Sequence, residues 1–364
     1  STSNSPCEML SRPAIMRNVV VFPQPDGPSR VTISRVRMER LMSSSTRFAP
    51  KLWLRFSSRV LRVFSRSACR VSVISSRGVN GPLGRCWVAA SRAMVSDRSN
   101  RRPRRSAKSP WLAWAALLIA ASEYPELDVI AQMEVLDSLA AGAAKGMGDD
   151  GDPLSSVNNL SAYLFDEVGF HGNDSEYYDP RNSYLNEVLA RRMGIPITLS
   201  LVCIEVGKRL GVPLEGVGMP GHFLLRHRDE PGIYIDPFHR GILLSEEECA
   251  QLLRDATRTA VPWDQSYLTT VSNRELIARI LRNLKGIYLN QHDHQRALGI
   301  AGLAVSLQPN IIGERRDRGL IHYQLGNHQA ALEDLRIYLA PSPPGADTSD
   351  VQRLVDRIGG DLDG

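Results

Sequence analysis

The chain has few of the residues that mark several protein classes. It contains 5 cysteines, and aromatic residues make up only 6% of its 364 residues. Only Cys203 and Cys249 lie in the patterned part of the chain, too few for a disulfide framework, so a reducing cytoplasm is expected. The apolar run from Trp111 to Ala121 has eleven residues, whereas a membrane-spanning helix needs ~20. We therefore expect no membrane segment.

Acidic residues are scarce in the first part of the chain. Residues 1–110 carry 4 Asp and Glu against 22 Lys and Arg, whereas the other 254 residues carry 35 against 22. The net charge of +5 therefore describes neither part. A nucleic-acid function inferred from that average would be an artefact of averaging.

Residues 1–110 also lack a sustained helical or strand pattern. The favoured interpretation is a basic, Ser/Arg-rich segment that is disordered or an artefact of the gene model, because the chain begins with Ser rather than Met. Three alternatives stay open: a basic arm for anionic partners, an organelle transit peptide, and a small folded domain. No secretory-signal pattern is found at the start. A nucleic-acid partner is expected only if this segment is made.

After Pro110, apolar residues recur at helical spacing. Two amphipathic helices are predicted on either side of the loop GMGDDGDP. Asp179 and Pro180 suit a helix start, which predicts a helix from there through Arg192. The apolar residues that set the first two helices are Leu127, Ile130, Leu136 and Leu139, followed by Leu154, Val157, Leu160 and Leu164.

The segment from Pro196 to Leu210 is apolar almost all round, so it predicts a buried central helix. The short runs LEGVGMP, HFLLRH and GIYID follow it and predict strands of an antiparallel sheet. Ser245 and Glu248 form a capping-box signature for a helix through Leu253. The fold class is therefore α+β.

The C-terminal part repeats itself with an offset of 34 residues. Residues 294–298 resemble residues 328–332, and Pro309 recurs at Pro343. This period resembles tetratricopeptide repeats, predicted for residues 272–340 after a capping box at Ser272 and Glu275. Two repeats cannot bury both faces alone, so we expect them to pack on the preceding domain or a partner. Residues 341–364 are predicted to be a loosely ordered tail.

Thiol acyl-transfer chemistry needs a cysteine at a helix start, a histidine that accepts its proton and a carboxylate that orients the histidine. The chain offers GIP, GVP, HF and DP at the corresponding places, with His222 and Asp236 expected on successive strands. This order resembles the transglutaminase-like superfamily. The string NDSEYYDPRNSYLNEVLARRMGIPITLS resembles its bacterial SirB-type members, which add tetratricopeptide repeats. The resemblance covers about Ala116 to Ala340.

The resemblance implies a transglutaminase-like (papain-like) domain over residues 111–271, with a central buried helix and a small antiparallel sheet, followed by α-helical hairpins. His222 and Asp236 carry over as the superfamily's catalytic pair, functional or vestigial. Pro196 stands where the superfamily has its cysteine. Cys203 is about 10 Å further along the helix, because each residue adds 1.5 Å. A structural hydrogen-bonded pair is the favoured interpretation of His222 and Asp236.

Other residues offer weaker site hypotheses. Thr198 and Ser200 lie near the helix start, where a hydroxyl could replace the thiol, although local capping is favoured. A polar string around one helix start is a candidate binding rim, although capping and packing can explain it. Its members are Tyr177, Tyr178, Asp179, Arg181, Asn182 and Asn186.

Neither metal nor cofactor is expected. His292 and His294 fall in the polar loop of the repeat, where a solvated pair is favoured. His222, Asp236 and His239 would chelate zinc only if they converged.

The function favoured by the sequence is a transglutaminase-like domain without its cysteine, acting with the repeats as a protein-interaction or regulatory module. A protein or peptide partner is expected. One alternative is an amide hydrolase or acyl transferase that uses His222 and Asp236 with another nucleophile. Nucleic-acid association through the basic N-terminus is a further alternative. Whether the chain is an enzyme stays open, with Pro196 weighing against it.

Overall fold

A computed structural model describes residues 111–148, 152–256, 262–341 and 346–363. These residues all belong to one compact unit. The hypotheses for residues 1–110 lie outside the described residues. Within the described ranges, no helix combines the length and apolarity required to cross a membrane.

Three helices open the described chain. The first is buried along most of its length, as expected for its Trp/Leu/Ala sequence. The second begins after Asp128, whose carboxylate accepts hydrogen bonds from the N–H groups of Ile130 and Ala131. Leu127 therefore precedes this helix, although its spacing had placed it inside. The bounds are α1 Trp111–Glu123, α2 Val129–Ala143 and α3 Pro153–Ser161.

The prediction of one continuous helix from Asp179 through Arg192 is wrong. Asp179 caps only a short 3₁₀ turn, Pro180–Asn182. Tyr184 then has extended backbone (φ −92°, ψ 120°), and α4 begins after it as Leu185–Arg191. The helix ends at Arg191, and the next residue, Arg192, adopts a left-handed conformation with φ 56°. Because the chain is not helical at this point, the buried side chain of Asn182 can donate a hydrogen bond to the Glu176 carbonyl oxygen in the preceding loop.

The predicted central helix is confirmed as α5, Pro196–Leu210. Pro196 occupies its first turn, where a missing N–H costs nothing. Gly211 ends it with φ 86°, a conformation that glycine adopts without steric cost. The helix is buried through most of its length and packs against α1, α2 and the sheet, so it forms the centre of the first domain.

The small antiparallel sheet lies over this helix and has one strand more than the sequence indicated. The predicted strands are present, and a fourth follows Asp236 after a turn. Neighbouring strands pair in chain order as an antiparallel meander. The bounds are β3 Leu214–Val217, β4 Leu224–His227, β5 Tyr234–Asp236 and β6 Ile242–Leu244, with β1 His171–Gly172 and β2 Met193–Gly194 as a separate parallel pair.

A capping box opens the helix after the sheet, as predicted. The Ser245 N–H donates to Glu248 Oε2 at 2.7 Å, and the Glu248 N–H donates to Ser245 Oγ at 3.3 Å. The helix, α6, covers Glu246–Ala256. It packs apolar side chains, including Leu253, against the sheet residues Val217 and Tyr234.

Four helices form two tetratricopeptide-type hairpins. The second helices of the two hairpins begin at His294 and His328, so they keep the predicted 34-residue offset. The Tyr184 and Tyr288 hydroxyl groups hydrogen-bond at 2.7 Å and join the hairpins to the first domain. The expected packing on the preceding domain is therefore present. The bounds are α7 Asn273–Asn290, α8 His294–Leu307, α9 Ile312–Gln324 and α10 His328–Leu339.

The end of the chain differs from the loosely ordered tail that its sequence suggested. This segment forms a helix, α11, Ala346–Asp363. Val351 and Ile358 are buried against Leu332 and Leu335 of the second hairpin. The helix therefore covers an apolar face that the last repeat would otherwise expose, a known requirement of repeat ends.

A buried ionic cluster joins α7 to α9. The Lys285 side chain is 2% exposed, and its ammonium group donates to Glu314 and Asp317, each at 2.6 Å. Burial alone would raise the pKa of Asp317, but the charges of Lys285 and Arg316 outweigh it and lower that pKa. The two carboxylates thus compensate the charge of the buried ammonium group.

We expect Asp317→Asn to destabilise the protein by about 2–3 kcal/mol at pH 7, because Lys285 keeps only one carboxylate partner. The folded pKa of Asp317 is lowered, so its contribution is complete above the unfolded value of about 4 and is lost as the pH falls. Urea unfolding should show a smaller difference in the free energy of unfolding between the wild type and Asp317→Asn at pH 3 than at pH 7. The exposed Asp229→Asn is the control, and an equal loss in both variants would contradict the prediction.

Candidate functional site

The candidate site is centred on Asp236, the last residue of β5, which has no solvent-exposed surface. Its Oδ2 lies 2.8 Å from His222 Nε2 and 2.7 Å from His239 Nδ1. Its Oδ1 accepts hydrogen bonds from the N–H groups of Phe238 at 3.0 Å and His239 at 3.4 Å. Each carboxylate oxygen therefore has two partners, which a buried charge requires.

The turn after β5 wraps around this carboxylate. Its ends meet where the Gly241 N–H donates to the Asp236 carbonyl at 2.7 Å, and Arg240 takes a left-handed conformation with φ 61°. Gly172 of β1 approaches so closely that a Cβ there would lie 2.6 Å from the Phe238 ring. The turn is thus fixed by backbone contacts on both sides, and it presents His239 beside His222.

His222 lies in the turn before β4, two residues ahead of the strand, and not on a strand as expected. The turn is held by a residue far along the chain. Arg279 of α7 donates to the carbonyl oxygens of Met219 and His222 at 2.8 and 2.9 Å, and its guanidinium group lies 5.5 Å from the Phe223 ring centroid. Burial lowers the pKa of Arg279 to about 10, so the group stays charged at neutral pH.

Aromatic rings surround the two histidines. The His222 and His239 rings stack at 5.9 Å with an interplanar angle of 24°. Phe238 meets both rings edge to face, at 6.1 Å from His222 and 5.3 Å from His239. The ring centroids of Tyr177 and Phe238 lie 6.0 Å apart. Phe238 therefore packs edge to face against both imidazoles, an arrangement that aromatic rings favour.

The electrostatics of the site favour an ionised carboxylate. Burial alone would raise the pKa of Asp236, but the hydrogen bonds from His222 and His239 outweigh it and hold that pKa well below its usual range. The hydrogen bond to Asp236 raises the pKa of His239. His222 is 8% exposed, whereas the His239 side chain is 48% exposed. The site therefore opens to solvent on the His239 side.

The predicted binding rim divides into two groups. Asn182 is fully buried and donates to the carbonyl oxygens of Glu176 and Tyr177, so it holds the loop that carries Tyr177. Asn186 is also nearly buried, which leaves little of it for a ligand. These two residues have structural positions, although they stood among the candidate binding residues.

The other rim candidates are more accessible. Tyr177 and Tyr178 are partly exposed and their rings contact each other at 5.3 Å, beside Phe238. Asp179 caps the 3₁₀ turn and pairs with Arg181 at 2.6 Å. Of the whole predicted rim, Tyr177 is the residue that the described contacts bring next to the histidine pair.

At the start of α5 the hydroxyl groups are already engaged or enclosed. Thr198 Oγ1 donates to the Asn182 carbonyl at 2.7 Å and accepts the Ile195 N–H at 3.1 Å, which is local capping as favoured by the sequence. Ser200 Oγ is fully buried and has no hydrogen-bond partner among the described residues.

Both cysteines in the described part of the chain are buried. Cys203 lies on α5 with 4% of its surface exposed, and burial raises its pKa to about 12. Cys249 lies in the core between α6 and the sheet, where burial and the charge of Asp236 raise its pKa to about 12. A thiol must ionise to act as a nucleophile, and these environments oppose ionisation.

Sequence reasoning underrated three neighbours of the pair. His239 was considered only as a zinc ligand, and its spacing from Asp236 in DPFH is the signal that points to it. Phe238 belongs to the same short motif. Arg279 had no usable signal, because an arginine in an amphipathic repeat helix is usually solvated.

The three side chains that would chelate zinc, those of His222, Asp236 and His239, do converge. The ligating atoms of His222, Asp236 and His239 all lie within 4.8 Å of one another. They form the one such group of three or more His, Cys, Asp or Glu side chains within the described ranges. His292 and His294, by contrast, are a ring pair at 6.3 Å in the repeat region.

The chain matches two family models. The transglutaminase-like superfamily matches residues 131–282, and a tetratricopeptide repeat family matches residues 284–358. No solved structure matches.

Bacterial proteins and a mammalian one are similar to this chain. A UPF0162 protein of Xylella fastidiosa strain Temecula1 is 41% identical over 236 residues, which cover 63% of this chain and 83% of that protein. A UPF0162 protein of Pseudomonas aeruginosa is 31% identical over 250 residues, 69% of this chain and 90% of that protein. The F-box only protein 21 of Mus musculus is 38% identical over 140 residues, 36% of this chain and 21% of its own length.

We expect Arg279→Ala to loosen the His222 turn, because two carbonyl oxygens lose a charged donor. Amide hydrogen exchange in residues 219–223 should become about 10-fold faster, as expected for a loss near 1.4 kcal/mol. Arg282→Ala on the same helix is the matched control, since its side chain is 45% exposed. Equal exchange in the two variants would count against a specific role for Arg279.

Proposed function

Because the chain belongs to the UPF0162 family, with a transglutaminase-like domain followed by tetratricopeptide repeats, we propose that it is a protein-interaction module without the superfamily's catalytic cysteine. The observation that carries the proposal is the state of the thiols. In the described ranges both cysteines are buried and have pKa values raised to about 12. Pro196 occupies the start of α5, where the resemblance places the nucleophile.

The histidine–carboxylate pair has a sufficient structural role in this proposal. Asp236 satisfies two imidazoles and two backbone N–H groups, so it fixes β5, the following turn and the His222 turn together. A buried group with this many partners stabilises one arrangement of the chain. The pair can therefore persist without catalysis.

The repeats supply the interaction surface of the proposed module. Helical hairpins of this class stack into extended surfaces that bind peptides or helices. In the described repeats, Ile311 and Ile337 are large apolar side chains with 49% and 44% of their surface exposed. The domain limits of 111–271 and 272–340, the SirB-type assignment and a cytoplasmic location complete the proposal and stay predictions from sequence.

A second candidate function is amide hydrolysis or acyl transfer with another nucleophile. The 2.8 Å hydrogen bond between His222 and Asp236 favours it, because an oriented imidazole is the general base that such chemistry needs. Against it, Thr198 Oγ1 is engaged in capping and Ser200 Oγ is enclosed in the core. The two functions differ in whether any side chain reacts under the control of His222.

Activity-directed labelling separates the two functions. We expect the full chain to show no labelling by thiol-directed or fluorophosphonate probes that depends on His222, because both cysteines in the described residues are buried with a raised pKa, Thr198 Oγ1 is engaged in capping and Ser200 Oγ is enclosed. Mass spectrometry should give the same labelled sites for the wild type, for His222→Gln and for the exposed control His171→Gln. A site lost only in His222→Gln would support the enzyme and overturn the proposed module.

Partner capture tests the interaction directly. With the tagged full chain as bait in a bacterial lysate, Ile337→Glu and Ile311→Glu should reduce retention of specific partners by about 10-fold, as loss of an apolar anchor does. Ile242→Glu is the matched control, since that isoleucine is 49% exposed but lies on β6. Partners retained equally by all three variants would contradict binding through the repeats.

A further inference from the structure

We propose that His222 Nε2, Asp236 Oδ2 and His239 Nδ1 form a binding site for one divalent transition-metal ion, with zinc as its preferred occupant. The inference goes beyond the interaction function and does not depend on it, since the repeats take no part in ligation. It rests on the convergence of three ligand atoms within 4.8 Å of one another.

The two N···O contacts are shorter than the ligand spacing of a zinc centre. The two nitrogens lie 2.8 and 2.7 Å from the same carboxylate oxygen. Tetrahedral ligands at about 2.0–2.1 Å from zinc lie roughly 3.3 Å from one another. An outward shift of about 0.6 Å by each nitrogen would therefore bring these contacts to tetrahedral spacing. The half-exposed His239 side chain has room for such a shift.

The surroundings of the three ligands already orient them. Backbone N–H groups of Phe238 and His239 hold Asp236 Oδ1, which leaves Oδ2 directed at the two rings. Arg279 fixes the backbone of His222 through its carbonyl oxygen. Outer hydrogen bonds of this kind determine how well metal ligands are positioned.

The donor set selects the class of ion. Two imidazole nitrogens and one carboxylate oxygen suit zinc and its neighbours in the first transition row, whereas calcium and magnesium require mainly oxygen ligands. Three protein ligands leave a fourth position of a tetrahedral ion for water or a partner's carboxylate. That position would face solvent, because His239 is the exposed member of the set.

The rival interpretation is a purely hydrogen-bonded cluster, in which a proton occupies each N···O contact. The two interpretations predict different behaviour. In the rival case, zinc competes with two good hydrogen bonds at a buried carboxylate and does not bind. In the proposed case, both imidazoles bind as neutral ligands, and zinc takes the place of the shared protons, which move to the other ring nitrogen or are released to solvent.

The test uses the full chain after treatment with a chelator. Titration calorimetry with zinc chloride at pH 7.5 should reveal one equivalent that His239→Ala weakens by more than about 100-fold, because loss of a direct ligand exceeds the effect of losing an outer contact. Cobalt(II) substitution should give the intense visible absorption of a tetrahedral ion in the wild type, and this band should be absent from His239→Ala.

His292→Ala is the matched control, because it removes an exposed imidazole from the repeat region. It should keep both the zinc equivalent and the cobalt band. His239 is chosen for the main variant because its side chain is half exposed, and circular dichroism verifies that the fold is retained. Absence of the zinc equivalent in the wild type, or its survival in His239→Ala, would overturn the proposal.

Discussion

The buried carboxylate of Asp236 is the constraint on which the site depends. An ionised carboxylate without exposed surface is costly unless hydrogen-bond donors surround it. The chain supplies four donors, two imidazole nitrogens and two backbone N–H groups. Bringing these donors to the carboxylate requires the tight turn after β5 and the turn before β4 to meet at one point. The arrangement of both loops therefore follows from the need to compensate one charge.

Helix α7 extends this constraint to the repeats. On one side, Arg279 reaches the carbonyl oxygens of the His222 turn. On another side, Lys285 enters the ionic cluster with Glu314 and Asp317 of α9. One helix thus contributes to the site of the first domain and to the core of the repeats.

The sequence predicted the elements whose signals are local. The central helix, the capping box at Ser245 and the 34-residue offset were confirmed, because apolar periodicity, caps and repeats are contained in short stretches of chain. The helix through Arg192 was wrong, since the bonds of the buried Asn182 side chain outweigh helix continuation. The last helix, α11, was not predicted, because its apolar face is buried against residues of the second hairpin and this contact cannot be read from its own short sequence.

For the site, the sequence by itself supplied the candidate pair of His222 and Asp236 and the prediction that Pro196 replaces the superfamily's cysteine. The tertiary structure alone decided that His239 converges on the same carboxylate oxygen and that Arg279, 57 residues from His222, holds its turn. It also decided that Asn182 and Asn186 are buried and so unsuited to a binding rim. The reason is physical. A contact between distant parts of the chain leaves no periodic pattern in either part, whereas a helix or a cap depends on residues that are close together in the sequence.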